Sequence, residues 1–190
     1  MRSSSMNRHA PDCCCTAHPL PACLRVRDAL DIYLAENGFT HAEYEAKWTP
    51  ASFLGVVIPV PNTVPHQRGI RLHDLHHLAT GFGTDIAGEG EISAWEIRGG
   101  LGDLNLYVSS LVIFGTAVGS LTSPWRTLSA GRASRKKNLF RAWSSYASLL
   151  ELTLGELRER VGIPVRGIAN GRKLHSRAPR TEANASSAAK

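Results

Sequence analysis

Apolar residues recur every three or four positions along most of this chain, which is the periodicity of helices with one buried face. Such a pattern over residues 22–37 predicts a first helix, and Gly38 supplies its end. Thr40 followed by Glu43 matches a capping box, in which each side chain satisfies a free backbone N–H of the first turn. We therefore expect a short second helix that runs to Trp48.

The pattern changes at residues 53–65, where valine, isoleucine and proline alternate. Proline removes a backbone donor and restricts the residue before it, so this composition excludes a helix and predicts an extended, partly buried connector. Two helices are expected next, over residues 69–80 and 85–98. The glycines at 81 and 83 break the pattern between them.

The most apolar segment, 104–121, contains several serines and threonines, and a membrane span needs about 20 predominantly apolar residues. It predicts a buried central helix. A further helix is expected over residues 132–150, and Thr153 with Glu156 forms a second capping box. The sequence thus predicts an all-α fold, a compact bundle of about six to seven helices with an extended connector before the helix of the candidate site.

The net charge of the chain lies in its two terminal segments. The 190 residues carry a net charge of +6, of which segments 1–20 and 166–190 carry +1 and +5, leaving the middle neutral. We expect a disordered leader over 1–20, a single helical metal-binding domain over 21–165 and a basic disordered tail over 166–190. A neutral body lacks the electrostatic footprint of a folded nucleic-acid reader, so no nucleic-acid partner is expected.

The first twenty residues lack the uninterrupted apolar stretch of a secretion signal, which predicts a cytoplasmic protein. The cysteines lie at positions 13, 14, 15 and 23. Neighbouring cysteines bridge one another poorly because disulfide geometry constrains the Cα separation. Reduced thiols are therefore expected, and the role of Cys13, Cys14 and Cys15 stays open.

The chemistry is concentrated between residues 71 and 96, in RLHDLHHLATGFGTDIAGEGEISAWE. On a helix, His73 and His77 project about 40° apart, and Asp74 lies about 100° from His73. Glycines at 81, 83 and 88 allow a tight reversal that brings Glu89 back toward this face. Imidazole nitrogen and carboxylate oxygen suit zinc, iron or manganese, so we predict a divalent metal site of His73, Asp74, His77 and Glu89, with zinc as the first choice.

Two neighbours of this set have the spacing of supporting groups. His76 lies near the edge of the same helical face, and Glu96 follows Glu89 by seven residues, nearly in line with it. A hydrogen bond from Glu96 to a ligand histidine is a hypothesis of the kind that metal sites often use.

The pattern His73-Asp74-x-x-His77 followed by Gly88-Glu89 resembles the HDxxH-x11-E signature of the coenzyme Q biosynthesis protein four family. The resemblance is strongest over residues 66–98 and looser over 22–164. It implies an α-helical fold, metal bound by the four residues, and association with prenylated quinone precursors at a membrane surface. Family members are linked to oxidative decarboxylation of the quinone head group, or to scaffolding of the pathway's enzymes.

The partners implied are a prenylated quinone precursor or another prenyl lipid, the inner face of the membrane as a peripheral contact, and quinone-biosynthesis enzymes. The apolar segments at 104–121 and 139–154 are expected to line a pocket for the prenyl tail. A homodimer is left open. Whether the protein is an enzyme, such as a metal-dependent lyase of the quinone pathway, is also left open.

Two alternatives compete with this interpretation. The adjacent His73-Asp74 pair is also typical of HD metal-dependent phosphohydrolases, in which His41 and Asp103 would be the outer ligands. That class does not require His77 or Glu89. In the other alternative the metal is structural, and the protein is a non-catalytic prenyl-lipid-binding scaffold, which closed four-ligand coordination would favour.

Overall fold

The computed structural model describes residues 20–53, 56–141 and 145–169. Within these residues the chain forms seven α-helices and one two-stranded sheet, which confirms the predicted all-α bundle. In chain order the elements are α1 (Val26–Asn37), a 3-10 turn (His41–Tyr44), β1 (Trp48–Phe53), β2 (Val56–Pro61), α2 (Val64–Thr80), α3 (Ile86–Gly99), α4 (Leu106–Thr122), α5 (Pro124–Ala133), a second 3-10 turn (Leu139–Arg141), α6 (Tyr146–Leu150) and α7 (Leu154–Arg160).

The predicted leader and tail lie almost wholly outside the described residues. Of these segments the structure describes Leu20 and residues 166–169, and both Leu20 and Ala169 are buried. The backbone N–H groups of Ile168 and Ala169 donate to the carbonyl of Thr80 at 2.9 and 3.0 Å. The packed part of the chain therefore continues to Ala169.

The core forms where α1, α2, α3 and α7 meet, and its largest fully buried apolar side chains are Trp95, Tyr33, Leu30, Leu75, Ile92, Leu139, Leu149, Leu154 and Leu157. Gly38 ends α1 in the left-handed region, with φ of 69°, as predicted. At the other end of the chain α7 starts with the predicted Thr153–Glu156 capping box.

The connector before the site helix is a β-hairpin. β1 pairs antiparallel with β2, from Trp48 opposite Pro61 to Phe53 opposite Val56. The extended conformation was predicted, but it ends at Pro61, and α2 begins at Val64 rather than at residue 69. The earlier start has a local cause, because the Thr63 side chain accepts from the backbone N–H of His66 and proline is favourable in a first helical turn.

The helix predicted from Thr40 to Trp48 is wrong. The segment makes only a 3-10 turn, the Thr40 side chain makes no capping hydrogen bond, and Trp48 already belongs to β1. The capping pattern is local, whereas the buried position of Tyr44, which is 6% exposed, is set by the rest of the fold.

α4 and α5 both pack on α3, and small residues allow a close approach. A Cβ atom on Gly90 would lie 2.4 Å from the Cα of Gly119, so glycine at this crossing is required by contact with the neighbouring backbone. Only one side of α4 is buried, through Val108, Val112 and Gly119. The predicted buried central helix is therefore wrong, since the other side of α4 is exposed.

The single helix predicted over residues 132–150 is also wrong. α5 ends at Ala133, and Lys136 adopts a left-handed φ of 58°. Asn138 then donates from its side chain to the carbonyls of Glu96 and Gly100, at 3.0 and 2.7 Å, which fixes the chain beside the end of α3. Helical structure resumes only with α6.

Arg158 of α7 joins distant parts of the chain. Its guanidinium is 1% exposed and donates to the backbone carbonyls of Leu20, Ala79 and Val165, at 3.0, 3.1 and 2.7 Å. Because the last carbonyls of a helix have no partner within it, this contact completes the hydrogen bonding at the C-terminal end of α2.

Of the helices described, none has both the length and the apolar character needed to cross a bilayer.

Cys23 takes part in a disulfide bond, so the prediction of a reduced thiol is wrong at this position.

Candidate metal centre

The turn between α2 and α3 brings the candidate ligands together. α2 ends at Gly81, with φ of 82°, and the Asp85 side chain accepts from the N–H of Gly88 at 2.7 Å to start α3. A Cβ on Gly88 would lie 2.0 Å from the carbonyl oxygen of Gly83, so the turn closes only around a glycine. Glu89 is thereby placed in the first turn of α3, opposite α2, as the sequence predicts.

Three of the four predicted ligands converge. One ligand atom each from His73, His77 and Glu89 lies within 4.8 Å of the others. The two Nε2 atoms are 3.1 Å apart, and the Glu89 carboxylate lies 3.3 Å from Nε2 of His73 and 3.5 Å from Nε2 of His77. Two imidazoles and one carboxylate form a donor set used by both catalytic zinc and non-haem iron sites.

The hydrogen bonds on the far side of each ring fix which nitrogen faces the group. Nδ1 of His77 lies 3.0 Å from the carbonyl oxygen of Phe82, which only accepts, so Nδ1 carries the proton. Nδ1 of His73 lies 2.9 Å from Oε1 of Glu96 and likewise donates to that carboxylate. In neutral rings both Nε2 atoms would therefore direct lone pairs at each other across 3.1 Å, beside the negative charge of Glu89. The two lone pairs and the carboxylate repel one another unless a cation or a proton lies between them.

Glu96 anchors two histidines at once. Its Oε1 also accepts from Nδ1 of His76 at 2.7 Å, because Nε2 of His76 is occupied as acceptor of the backbone N–H of Leu139 at 2.9 Å. Glu96 and His76 are fully buried. The hydrogen bond predicted between Glu96 and a histidine of the candidate set is present at His73, and His76 shares the same carboxylate oxygen.

The electrostatics follow from burial and these contacts. Burial opposes a charge on His73, but the negative charge of Glu96 and the hydrogen bonds to Glu89 and Glu96 outweigh it and hold the pKa of His73 well above its usual value. Burial acts to raise the pKa of Glu96, yet the charge of His73 and the hydrogen bonds from His73 and His76 lower it to about 2. Burial lowers the pKa of His77. Without an ion, the proton that balances the group therefore sits on His73.

Asp74 lies outside the converging group. Its Oδ1 accepts from the hydroxyl of Tyr33 at 3.2 Å, and its Oδ2 accepts from the hydroxyl of Tyr44. The Tyr33 ring stacks on His77, with ring centroids 5.8 Å apart. Asp74 thus holds the tyrosine that packs against the His77 ring. Burial raises its pKa to about 6.

The outer ligands of the phosphohydrolase alternative are not brought to this group. Nε2 of His41 lies 2.7 Å from Oδ1 of Asp31, and both side chains are about 60% exposed. Asp103 is exposed and follows α3, where its backbone N–H donates to the carbonyl of Phe140.

The group is buried on one side and open on the other. The His77 side chain is fully buried and that of His73 is 20% exposed, whereas that of Glu89 is 43% exposed. A small molecule or water can therefore approach from the Glu89 side while the imidazoles are held by the interior.

Three contributors to the site carry no signal in the sequence. The Phe82 carbonyl is a backbone group, and Tyr33 and Tyr44 come from elements far from α2 along the chain. Tyr33 lies on α1, and the packing of α1 on α2 brings its hydroxyl to Asp74.

No family model, curated protein or solved structure matches this chain.

Proposed function

We propose that the protein binds a divalent metal ion through His73, His77 and Glu89. One observation carries the proposal. The Nε2 atoms of His73 and His77 lie 3.1 Å apart beside the Glu89 carboxylate, and the proton of each neutral ring is on Nδ1. A cation converts this mutual repulsion into attraction for all three groups. A proton on His73 does the same in the ion-free protein, so metal and proton compete for the site.

Zinc is the first choice of metal, with iron and manganese also suited to a set of two histidines and one carboxylate. Asp74 is committed to two tyrosine hydroxyls, which supports a site with three protein ligands rather than a closed set of four. Sites of that kind keep a position for water or substrate. A bound ion would act as a Lewis acid that polarises an oxygen of the molecule it holds.

We further propose that this molecule is a prenylated quinone precursor, with its head group at the Glu89 side of the site. The support is the HDxxH-x11-E pattern of the coenzyme Q biosynthesis protein four family, together with the convergence of three residues of that pattern. Within this proposal the buried histidines fix the head group, and the solvent-open side admits it. Oxidative decarboxylation of the head group is the reaction that the resemblance implies, and because it needs an oxidant such as dioxygen, it would call for iron or manganese at the site rather than redox-inactive zinc.

Metal analysis and native mass spectrometry of protein from a quinone-producing host test both parts. We expect about one equivalent of divalent ion per chain. His77→Ala and the conservative Glu89→Gln should each lose the ion. The fall in metal affinity should exceed the roughly 10–100-fold that follows from removal of a group that only orients a ligand. His41→Ala is the matched control and should retain the ion, because its ring pairs with Asp31.

Absence of bound zinc, iron and manganese in the wild type, even after titration with each metal, would end the metal proposal. Loss of the ion in His41→Ala, with the ion retained in His77→Ala, would favour the phosphohydrolase arrangement instead. A prenyl lipid that co-purifies with the wild type supports the quinone part, whereas metal without any such lipid supports metal binding alone.

A further inference from the structure

The outer side of α4 and α5 exposes several large apolar side chains, and large exposed apolar patches are rare on soluble monomeric proteins. Leu106 and Leu121 are 86% and 85% exposed, and Trp125 is 79% exposed. We call this the α4–α5 face, made of Leu106, Ile113, Phe114, Leu121, Trp125 and Leu128.

The face follows from how α4 is built. The helix contains no charged residue, and its small residues Gly115 and Gly119 point toward α3, where a Cβ would meet Ser93 and Gly90. The larger residues Ile113 and Phe114 are thereby left outward, each 53% exposed. A helix that puts its small residues against its neighbour and its large apolar ones toward solvent is the reverse of an ordinary surface helix.

The chain segment that forms this face carries charge of one sign. Residues 104–150 contain six lysines and arginines and no aspartate or glutamate. Residues 21–103 carry the opposite excess, with eleven acids against six bases, so the neutral body is in fact polarised along the chain.

Apolar and cationic residues are continuous on α5. Trp125, Leu128 and Arg132 follow one another at helical spacing, and all three are exposed. Beyond the helix Arg135, Lys136 and Lys137 are exposed as well. The apolar stripe therefore ends in a cluster of four exposed cations.

We propose that the α4–α5 face is a docking surface for a lipid bilayer that contains anionic lipids. Amphipathic helices lie in the interface with their apolar side chains among the acyl chains, tryptophan favours the head-group level, and basic residues are attracted to anionic lipid. The same charge disfavours a second copy as the occupant, because a two-fold interface would set this cationic segment against itself.

Vesicle sedimentation tests the proposal with the full-length protein. We expect binding to vesicles of phosphatidylcholine mixed with phosphatidylglycerol, and much weaker binding to phosphatidylcholine alone. Leu121→Ser combined with Trp125→Ser should weaken the first by at least about tenfold through lost apolar burial. Arg132→Gln combined with Arg135→Gln should weaken it by about thirtyfold, with a smaller salt dependence.

The charge control is Arg25→Gln combined with Arg27→Gln, which removes the same charge from the start of α1, where both arginines pair with Glu151. It should bind like the wild type. Metal content is measured on every variant and should be unchanged, since His73, His77 and Glu89 are untouched, so failure here is separable from failure of the metal site.

No wild-type sedimentation with anionic vesicles at low salt overturns the proposal. So does equal binding by the control and the Arg132/Arg135 variant. If Leu121→Ser with Trp125→Ser instead converts an oligomer to a monomer and leaves vesicle binding intact, the face belongs to a second copy.

Discussion

Replacement of Glu96 by glutamine should destabilise the metal-free protein in a way that depends on pH. The Glu96 carboxylate is fully buried and accepts from the Nδ1 groups of His73 and His76, and its pKa is lowered from 4.5 to about 2. At 1.36 kcal/mol for each pKa unit, the charged form contributes about 3 kcal/mol to folding at neutral pH. The raised pKa of His73 arises from the same interaction with Glu96, so it contributes no separate stability.

The sign of the pH dependence is fixed by the lowered pKa. The contribution is present above pH 4.5, the value of an unperturbed glutamate, and disappears as the pH falls through about 2. The difference between wild type and Glu96→Gln should therefore be about 3 kcal/mol at pH 7 and decrease to about 2 kcal/mol near pH 3.5.

Urea unfolding of chelator-treated protein at both pH values measures this difference. Glu151→Gln is the matched control, because that carboxylate is 56% exposed and pairs with the exposed Arg25 and Arg27. It should cost less than about 1 kcal/mol. A Glu96→Gln protein that unfolds like the control at pH 7, or a difference that does not shrink in acid, would refute the reasoning.

Two further substitutions test the buried charge of Asp74 and the close packing of α3 on α4. The pKa of Asp74 is raised by burial from 3.8 to about 6, so the stability it supplies is present below pH 3.8 and lost as the pH rises through about 6. Metal-free wild type should thus lose about 2 kcal/mol relative to Asp74→Asn between about pH 4 and about pH 8, as followed by thermal melts, and a constant difference would contradict this. Gly90→Ala should destabilise the fold by about 1–3 kcal/mol, because its Cβ would meet the backbone of Gly119. Gly131→Ala is the control and should melt near the wild type, because its Cβ would lie 3.5 Å from the carbonyl oxygen of Ala94, an ordinary contact distance.

The sequence predicted the features that depend on neighbouring residues. The end of α1 at Gly38, the start of α3 at Asp85 and the capping box at Thr153 all arise within one helical turn. The convergence of His73, His77 and Glu89 was predictable for the same reason, since helical periodicity and one glycine turn determine it.

What the sequence could not predict depends on contacts between distant elements. The helical wheel places Asp74 beside His73, but its carboxylate turns to Tyr33 and Tyr44, which α1 and the first 3-10 turn bring to it. The apolar composition of α4 gave no information about which elements cover it. The helix expected over residues 132–150 is interrupted because Asn138 finds carbonyl partners at the end of α3.

The contacts of Arg158 have a consequence for how the protein is made. Its guanidinium donates to the carbonyl of Ala79, 79 residues earlier in the chain, at the end of the helix that carries His73 and His77. A ribosome releases that helix long before Arg158 emerges from the exit tunnel. The last carbonyls of α2 therefore stay hydrated until nearly the whole domain has been synthesised, and this end of the helix is completed only when α7 arrives.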